Sequence, residues 1–244
     1  MSSTVQLIIN GNQVQATKGD TILDVANRAG ISIPTLCHDP RLKPAGACRT
    51  CLVEISGQRR LHPACAYPIE AGMEITTESS RITRHRKTLL GLYAADHRLN
   101  GNQQPNNQLE TMISQYGTAF SLDRLDSPRT GRDDPNPYIH FDPELCILCA
   151  RCTRYCDEVE AVNAIGLTHR GSHTTISTAL DKGLMDTTCE LCGGCIDTCP
   201  TAALTEKKAL PFANEPTEKI RSTCNFCGVG CQLDLNVAKD RVVK

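Results

Sequence analysis

Tryptophan is absent from the 244 residues, and Phe and Tyr together supply only 4% of them. Large rings are thus too scarce to build extensive cores, and small modules short of core are commonly held by disulfides or metal. No apolar run approaches the roughly 20 residues of a membrane span. Met1 to Asn10 lacks the charged and apolar regions of a secretory signal. A cytoplasmic location without membrane insertion is therefore expected. The formal net charge is -1, which offers neither a polybasic anchor nor a field suited to nucleic acid. Neither the G-x-G-x-x-G fingerprint nor a phosphate loop of the G-x-x-x-x-G-K-[ST] type occurs. Binding of NAD by this chain and nucleotide hydrolysis are not expected, and no catalytic residue is assigned.

Cysteine, by contrast, is abundant, with fifteen in four groups. Cys37, Cys48, Cys51 and Cys65 form the first, spaced C-x10-C-x2-C-x13-C. Cys146, Cys149, Cys152 and Cys156 form the second, and Cys189, Cys192, Cys195 and Cys199 the third, which Pro200 follows. Both read C-x2-C-x2-C-x3-C. Cys224, Cys227 and Cys231 form the last, one ligand short of four. An odd total fits a complete disulfide framework poorly, and a reducing cytosol would keep these residues as thiolates on metal.

Along the chain, Val5 to Ile9 suits a strand, Asn10-Gly11-Asn12 a hairpin turn, and Val14 to Ala16 the returning strand. Asp20 or Thr21 is placed to cap a helix in which Ile22, Val25, Ala26 and Ala29 share a face, with Gly30 as its stop. Leu52 to Ile55 reads as a strand turned by Ser56-Gly57. Residues 80–97 read as a basic helix bearing Arg81, Arg84, Arg86 and Lys87, with Arg98 just beyond it. Its apolar face is Leu89, Leu90, Leu92 and Tyr93. The helix is either a solvated one on the body of the protein or a docking surface for an acidic partner. Residues 98–110 read as a polar loop, and Leu109 to Tyr116 as a short helix. Residues 126–137 and 209–221 read as linkers. Leu233, Leu235 and Val237 alternate as in a strand.

Soft iron and sulfide suit soft thiolate donors. The second and third groups have the spacing with which bacterial two-cluster ferredoxins hold 4Fe-4S clusters, where the fourth ligand of each cluster comes from the other motif. That resemblance implies one cluster on Cys146, Cys149, Cys152 and Cys199, and another on Cys189, Cys192, Cys195 and Cys156. The domain would then not fold without its clusters. Residues 157–188 leave room for an inserted hairpin. The first group departs from the plant-type C-x4-C-x2-C spacing. It keeps the C-x2-C core in a strand-strand-helix module that resembles the β-grasp of plant-type ferredoxins, which suggests a 2Fe-2S cluster. Zinc held by four cysteines is the alternative for each group.

The segments Pro34-Thr35-Leu36-Cys37, Cys48 to Glu54 and Pro63-Ala64-Cys65 resemble the N-terminal ferredoxin domain of the large iron-sulfur subunit of NADH-quinone oxidoreductase. The same module opens the diaphorase small subunit of NAD-reducing hydrogenases, iron-only hydrogenases, and the large subunit of NAD-dependent formate dehydrogenases. Ser222 to Cys231 resembles the start of a molybdopterin-binding domain, in which C-x2-C-x3-C precedes a distant fourth cysteine. The order of modules is most similar to formate dehydrogenase. The family also carries a cluster held by one histidine and three cysteines. His97 stands where that histidine belongs, yet residues 100–110 contain no cysteine. The site is expected to be lost and His97 to be a surface or packing residue. His38 and His62 lie near Cys37 and Cys65, either to tune a cluster or as ordinary neighbours.

These readings predict an α+β chain. Its parts would be a 2Fe-2S domain at 1–79, a helical region at 80–125, a two-cluster 4Fe-4S ferredoxin domain at 138–208, and a small cysteine segment at 222–244. The expected cofactors are one 2Fe-2S cluster, two 4Fe-4S clusters and a third 4Fe-4S cluster if a fourth ligand joins the last group. The resemblance implies electron relay between a flavin/NAD(P)-binding iron-sulfur subunit and a catalytic subunit of formate dehydrogenase or hydrogenase type. A metal-stabilised scaffold without redox duty is the reading from a different class.

Overall fold

The computed structural model describes residues 4–99, 107–121, 129, 134–207, 218–225 and 228–242. Strands β1 (Thr4–Ile9) and β2 (Asn12–Thr17) pair antiparallel around Asn10 and Gly11. Both turn residues have positive φ, 52° and 83°, the geometry that matches the twist of a tight hairpin. Helix α1 (Ile22–Arg28) begins at a reciprocal cap. The Thr21 hydroxyl accepts from the Asp24 amide at 3.2 Å, and Asp24 accepts from the Thr21 amide at 2.9 Å. Such a cap satisfies two otherwise orphaned donors. Strands β3 (Leu52–Ile55), β4 (His62–Pro63) and β5 (Glu74–Thr76) complete a five-stranded sheet in the order β2-β1-β5-β3-β4. Strand β5 lies parallel to β1 and antiparallel to β3.

Leu7, Ile9, Val53, Ile55 and Ile75 point from the sheet into one core with Ile22, Leu23, Val25 and Ala26 of α1. Burying such an aliphatic side chain is worth about 1.5–3 kcal/mol. The buried face of α1 includes Leu23 and stops before Ala29, which is exposed. The helix ends at Arg28, so Ala29 is its cap and not part of its face.

Helix α2 (Ser80–Asp96) is capped by the Ser79 hydroxyl, which accepts from the Ile82 amide at 3.1 Å. Helix α3 (Gln108–Tyr116) is capped by Asn107, whose Oδ1 accepts from the Leu109 and Glu110 amides, both at 3.1 Å. The basic helix differs from the expectation in two ways. Arg86 lies inside the buried stripe formed with Ile82, Leu90 and Ala95, while Leu92 is 52% exposed. The buried arginine donates through Nε to the Thr50 carbonyl and through Nη1 to Glu78, partners that periodicity alone does not reveal.

In the second half, β6 (Ile139–Phe141) pairs with β9 (Leu204–Glu206), and β7 (Ile165–Thr168) with β8 (Thr175–Thr178) as the inserted hairpin. Helices α4 (Arg151–Glu158) and α5 (Gly194–Asp197) start inside the two cysteine motifs. Strands β10 (Glu218–Thr223), β11 (Gln232–Ala238) and β12 (Arg241–Val242) form a separate meander. The result is a mixed α/β chain of small sheets and short helices, consistent with ferredoxin-like domains.

Three stretches read as loop or linker carry more structure than their composition suggests. Within 126–137, Arg129 and Asn136 are buried. The Asn136 Oδ1 accepts from the Tyr138 and Ile139 amides at 3.0 and 2.6 Å, and Lys207 Nζ donates to the Asn136 carbonyl at 2.8 Å. Residues 218–221 belong to β10. Within 98–110, Asn107 is buried and α3 begins at Gln108. Polar and turn-forming residues announce a bend, but side-chain amides can also anchor one. Residues 100–106, 122–128, 130–133 and 208–217 lie outside the described residues.

Candidate metal centres

Cys37, Cys48, Cys51 and Cys65 converge beneath the end of the five-stranded sheet, and each is at most 4% exposed. Cys51 immediately precedes β3, and Cys65 follows β4. The Cys48 amide donates to Cys37 Sγ at 3.3 Å, and the Thr50 hydroxyl lies 3.2 Å from Cys48 Sγ. Contact with Cys37, followed by burial, raises the Cys48 thiol well above its ordinary range. A hydrogen bond from Cys65 lowers Cys51 despite its burial. Four thiols thus compete for charge in a space closed to water. A cationic iron core held by these four residues would resolve that competition, because buried thiolates need a nearby positive centre.

The second and third groups come together across the chain. Cys199 stands among the charged neighbours of Cys146, Cys149 and Cys152, and Cys156 among those of Cys189 and Cys195. Burial pushes the Cys146 thiol up to about 11 and those of Cys149 and Cys195 up to about 12. A cavity of about 340 Å³ is lined by Cys156, Cys189, Cys192 and Cys195. A smaller, more closed space is lined by Cys146, Cys149, Cys152 and Cys199. These donor sets, soft and buried around a cavity, fit clusters.

The two loops repeat one backbone pattern. Leu148 and Ala150 have φ 56° and 58°, and Leu191 and Gly193 have φ 55° and 79°. These left-handed residues occupy equivalent positions in the two motifs. A non-glycine residue held there costs about 1–2 kcal/mol. The turns point amides at sulfur: Leu148 donates to Cys146 Sγ and Leu191 to Cys189 Sγ, both at 3.4 Å, and Ala164 donates to Cys156 Sγ at 3.2 Å. Strain at a cluster loop is spent on aiming donors at the ligands, whose basicity those hydrogen bonds tune. Gly194 is required for a different reason. A Cβ there would lie 2.1 Å from the Tyr155 ring.

The first site packs directly against the second half. Leu36, Cys37 and Cys48 share a buried cluster with Leu90, Leu109 and Ile147, and Cys149 packs against it. Tyr93 lies in this cluster, its hydroxyl donating to the Cys48 carbonyl at 3.4 Å. Burial, reinforced by Cys48, Cys37 and Cys149, holds the Tyr93 phenol above its ordinary range.

Arginines brace the cysteine loops through their carbonyls, a set that sequence reasoning missed. Arg154 donates to the Cys37 carbonyl at 2.6 Å and Arg129 to the Cys146 carbonyl at 2.8 Å. Arg86 donates to the Thr50 carbonyl at 3.3 Å, pairs with Glu78 at 2.8 Å and stacks on Tyr116. Arg151 reaches the Leu36 carbonyl at 3.4 Å and Asp39 at 3.2 Å. Asp39 also accepts from Arg41 at 2.8 Å and from the Thr198 hydroxyl at 2.9 Å. These donors, Arg41 above all, hold its carboxyl far below the usual carboxylate range. The only sequence signal was proximity, since Arg151 and Arg154 flank Cys152.

Cys224 and Cys231 close the β10–β11 loop, with the Cys224 amide donating to the Cys231 carbonyl at 2.8 Å. Cys227 lies outside the described residues. His97 is a packing residue, 1% exposed, with Asn107 Nδ2 3.3 Å from its Nε2. Among the described residues, His38 Nδ1 and His62 Nε2 have no hydrogen-bond partner. Among the described residues, no three His, Cys, Asp or Glu side chains close to the spacing of a single metal ion, and a cluster spreads its ligands more widely than one ion does. No helix among the described residues is long and apolar enough to cross a membrane.

Three family descriptions match the chain. Residues 2–80 match a 2Fe-2S iron-sulfur cluster binding domain. Residues 136–205 match the ferredoxin-like domain of NADH-quinone oxidoreductase subunit 3, and residues 217–244 match the molybdopterin oxidoreductase Fe4S4 domain. The chain thus carries domains for a 2Fe-2S cluster and for 4Fe-4S clusters. The NADPH-Fe(3+) oxidoreductase subunit alpha of Geobacter sulfurreducens is 35% identical over 98% of this chain and 28% of that protein. A NADH-quinone oxidoreductase subunit of Rhizobium meliloti is 34% identical over the same shares. The NADP-reducing hydrogenase subunit HndD of Solidesulfovibrio fructosivorans is 33% identical over 84% of this chain and 36% of its own length. The chain therefore spans about a third or less of these curated relatives. A chain of the NAD+-reducing NiFe-hydrogenase in its H2-reduced state superposes with a TM-score of 0.72 and 28% identity, over 84% of this chain and 88% of that one.

Proposed function

We propose that this chain, which carries the iron-sulfur region found in the large iron-sulfur subunits of NADH-quinone oxidoreductase and in NAD-reducing hydrogenase subunits, relays single electrons within a multisubunit NAD(P)-linked oxidoreductase. Cys37, Cys48, Cys51 and Cys65 hold the 2Fe-2S cluster. Cys146, Cys149, Cys152 and Cys199 hold the first 4Fe-4S cluster, and Cys189, Cys192, Cys195 and Cys156 the second. Bound clusters supply one-electron acceptance and release. The chain's own part is to fix their spacing, exclude water from the first two sites, and set potentials through amide and hydroxyl donors to sulfur. The observation that carries this reading is the shared packing of the buried Cys37, Cys48 and Ile147 with the partly buried Cys149 against them, which brings the first two sites into direct contact.

The partners are a flavin/NAD(P)-binding iron-sulfur subunit on one side and a catalytic subunit on the other. The match of residues 217–244 to a molybdopterin oxidoreductase domain favours formate dehydrogenase as the destination. The likeness to a hydrogenase chain favours a hydrogenase as the second reading. Native mass spectrometry of the anaerobically purified protein tests the cluster inventory. About ten irons, from one 2Fe-2S and two 4Fe-4S clusters, is the expected count if Cys224, Cys227 and Cys231 need an external ligand. About fourteen would mean that the last group is completed. Zinc in place of iron would overturn the relay.

A further inference from the structure

The fold divides the arginines of α2 into two kinds. Arg86 turns inward to brace the Thr50 carbonyl. Arg81, Arg84 and His85 instead face an open groove of about 770 Å³, where Arg49, Arg59 and Arg60 join them. All six side chains are exposed, and among the described residues no carboxylate lines the groove. Arg81 is partly neutralised by Glu54 at 3.7 Å and donates to the Arg59 carbonyl at 2.7 Å. Among the described residues, Arg49, Arg59, Arg60 and Arg84 have no ion pair within 4.0 Å. The whole chain has a net charge of only -1, so this concentration of one sign is local. Like charges held together repel, and an anionic surface relieves the repulsion while steering encounter.

The groove's position gives the charge a use. Arg49 lies between Cys48 and Cys51 in sequence, and its backbone is left-handed at φ 59°. The loop that carries two thiols of the first site therefore also forms one wall of the groove. The opposite wall is α2, which holds that same loop through the buried Arg86 and the partly buried Tyr93.

We propose that this arginine groove is the docking surface for an acidic electron-transfer protein, one whose clustered Asp and Glu residues surround its own redox centre. The proposal rests on the relay reading for its purpose, and it adds the entry point and the chemistry of the partner. Electrons would then exchange at the Cys48–Cys51 loop, and the two 4Fe-4S sites would lie farther along.

The probe is a pre-reduced acidic plant-type 2Fe-2S ferredoxin, mixed anaerobically with the cluster-loaded chain and followed by stopped-flow absorbance over a range of ionic strength. The second-order rate constant should fall by about tenfold or more from low to high salt, as steered encounters do. The variant carrying Arg59→Glu, Arg60→Glu and Arg84→Glu should be slower by about tenfold or more at low salt. Its photoreduction by a neutral deazaflavin should match wild type, since these side chains are exposed and touch no thiol. A variant as fast as wild type, or a wild-type rate indifferent to salt, would overturn the proposal. So would saturable inhibition by NADPH at constant ionic strength, because the groove would then be a nucleotide site. Calorimetry with the oxidised ferredoxin separates the two readings. Binding that the variant loses supports the groove, even if electrons fail to pass and the relay reading falls.

Discussion

Replacing Asp39 with asparagine should loosen the contact between the first site and α4 more than removing Arg151 does. Asp39 is 2% exposed. Its Oδ1 accepts from the Arg41 amide and Nε at 3.0 and 2.9 Å. Its Oδ2 accepts from Arg41 Nη2, Arg151 Nη2 and the Thr198 hydroxyl at 2.8, 3.2 and 2.9 Å. An asparagine that keeps its oxygen toward the Arg41 amide turns an NH2 group toward three donors. Arg151, itself buried, then has no counter-charge among the described residues. Stranding one partner of a buried pair costs about 3–5 kcal/mol. Arg151→Met leaves Asp39 with Arg41 and Thr198, so its cost should be nearer 1–3 kcal/mol. At 1.36 kcal/mol per tenfold, the asparagine variant should raise local opening by roughly two to four orders of magnitude. Hydrogen-deuterium exchange of the cluster-loaded protein reads this directly. Amides of residues 36–43 and of α4 should exchange faster, with the β1–β2 hairpin unchanged. If Arg151→Met opens these segments more than Asp39→Asn does, the carboxylate is not what holds the arginine and the reasoning fails.

Gly194→Ala would drive a Cβ to 2.1 Å from the Tyr155 ring. Overpacking of about 1–3 kcal/mol should appear as loss of the second 4Fe-4S signal in electron paramagnetic resonance, with the 2Fe-2S signal intact; Tyr155→Ala in the same chain should restore part of it. Thr50→Val removes the hydroxyl 3.2 Å from Cys48 Sγ. A donor to sulfur favours the reduced, more negative state, so the 2Fe-2S potential should fall. A bond worth about 1 kcal/mol corresponds to about 40 mV for one electron, within reach of a redox titration. In the apoprotein, burial raises the thiols of Cys146, Cys149 and Cys195 to about 11–12. They are protonated at neutral pH, and iron must displace those protons. Reconstitution yield, read as iron and sulfide content, should therefore rise from pH 7 to pH 9; a yield that falls over this interval would argue against buried thiols as the acceptors.

Local signals were legible wherever the physics is local. The Asn10-Gly11 turn, the Thr21 cap, the Leu52–Ile55 strand and helices α2 and α3 follow from neighbours a few positions apart. Strand β5 was not legible, because three residues, Glu74 to Thr76, are too few for a period and their partners in β1 lie more than sixty residues away. The buried arginines were hidden for the same reason. Arg86, Arg129 and Arg151 look like solvated charge until Thr50, Cys146 and Asp39 reach them from 36, 17 and 112 positions distant. Motif spacing singles out the cysteines, but the crossing of Cys199 to the second group and of Cys156 to the third was expected only from the resemblance to two-cluster ferredoxins, because it depends on how two distant loops fold onto each other.

The two cavities in the second half differ in how far they open to the surface, and this difference sets an order of vulnerability. Cys192 is exposed, while Cys146 and Cys152 are buried. Dioxygen and peroxide diffuse from outside, so a cube seated among Cys156, Cys189, Cys192 and Cys195 meets them first. Air damage should travel inward from that end, sparing longest the four thiols under the β-sheet. On the relay proposed above, a brief exposure would then leave a chain whose first site still exchanges electrons after the site at the far end has been lost.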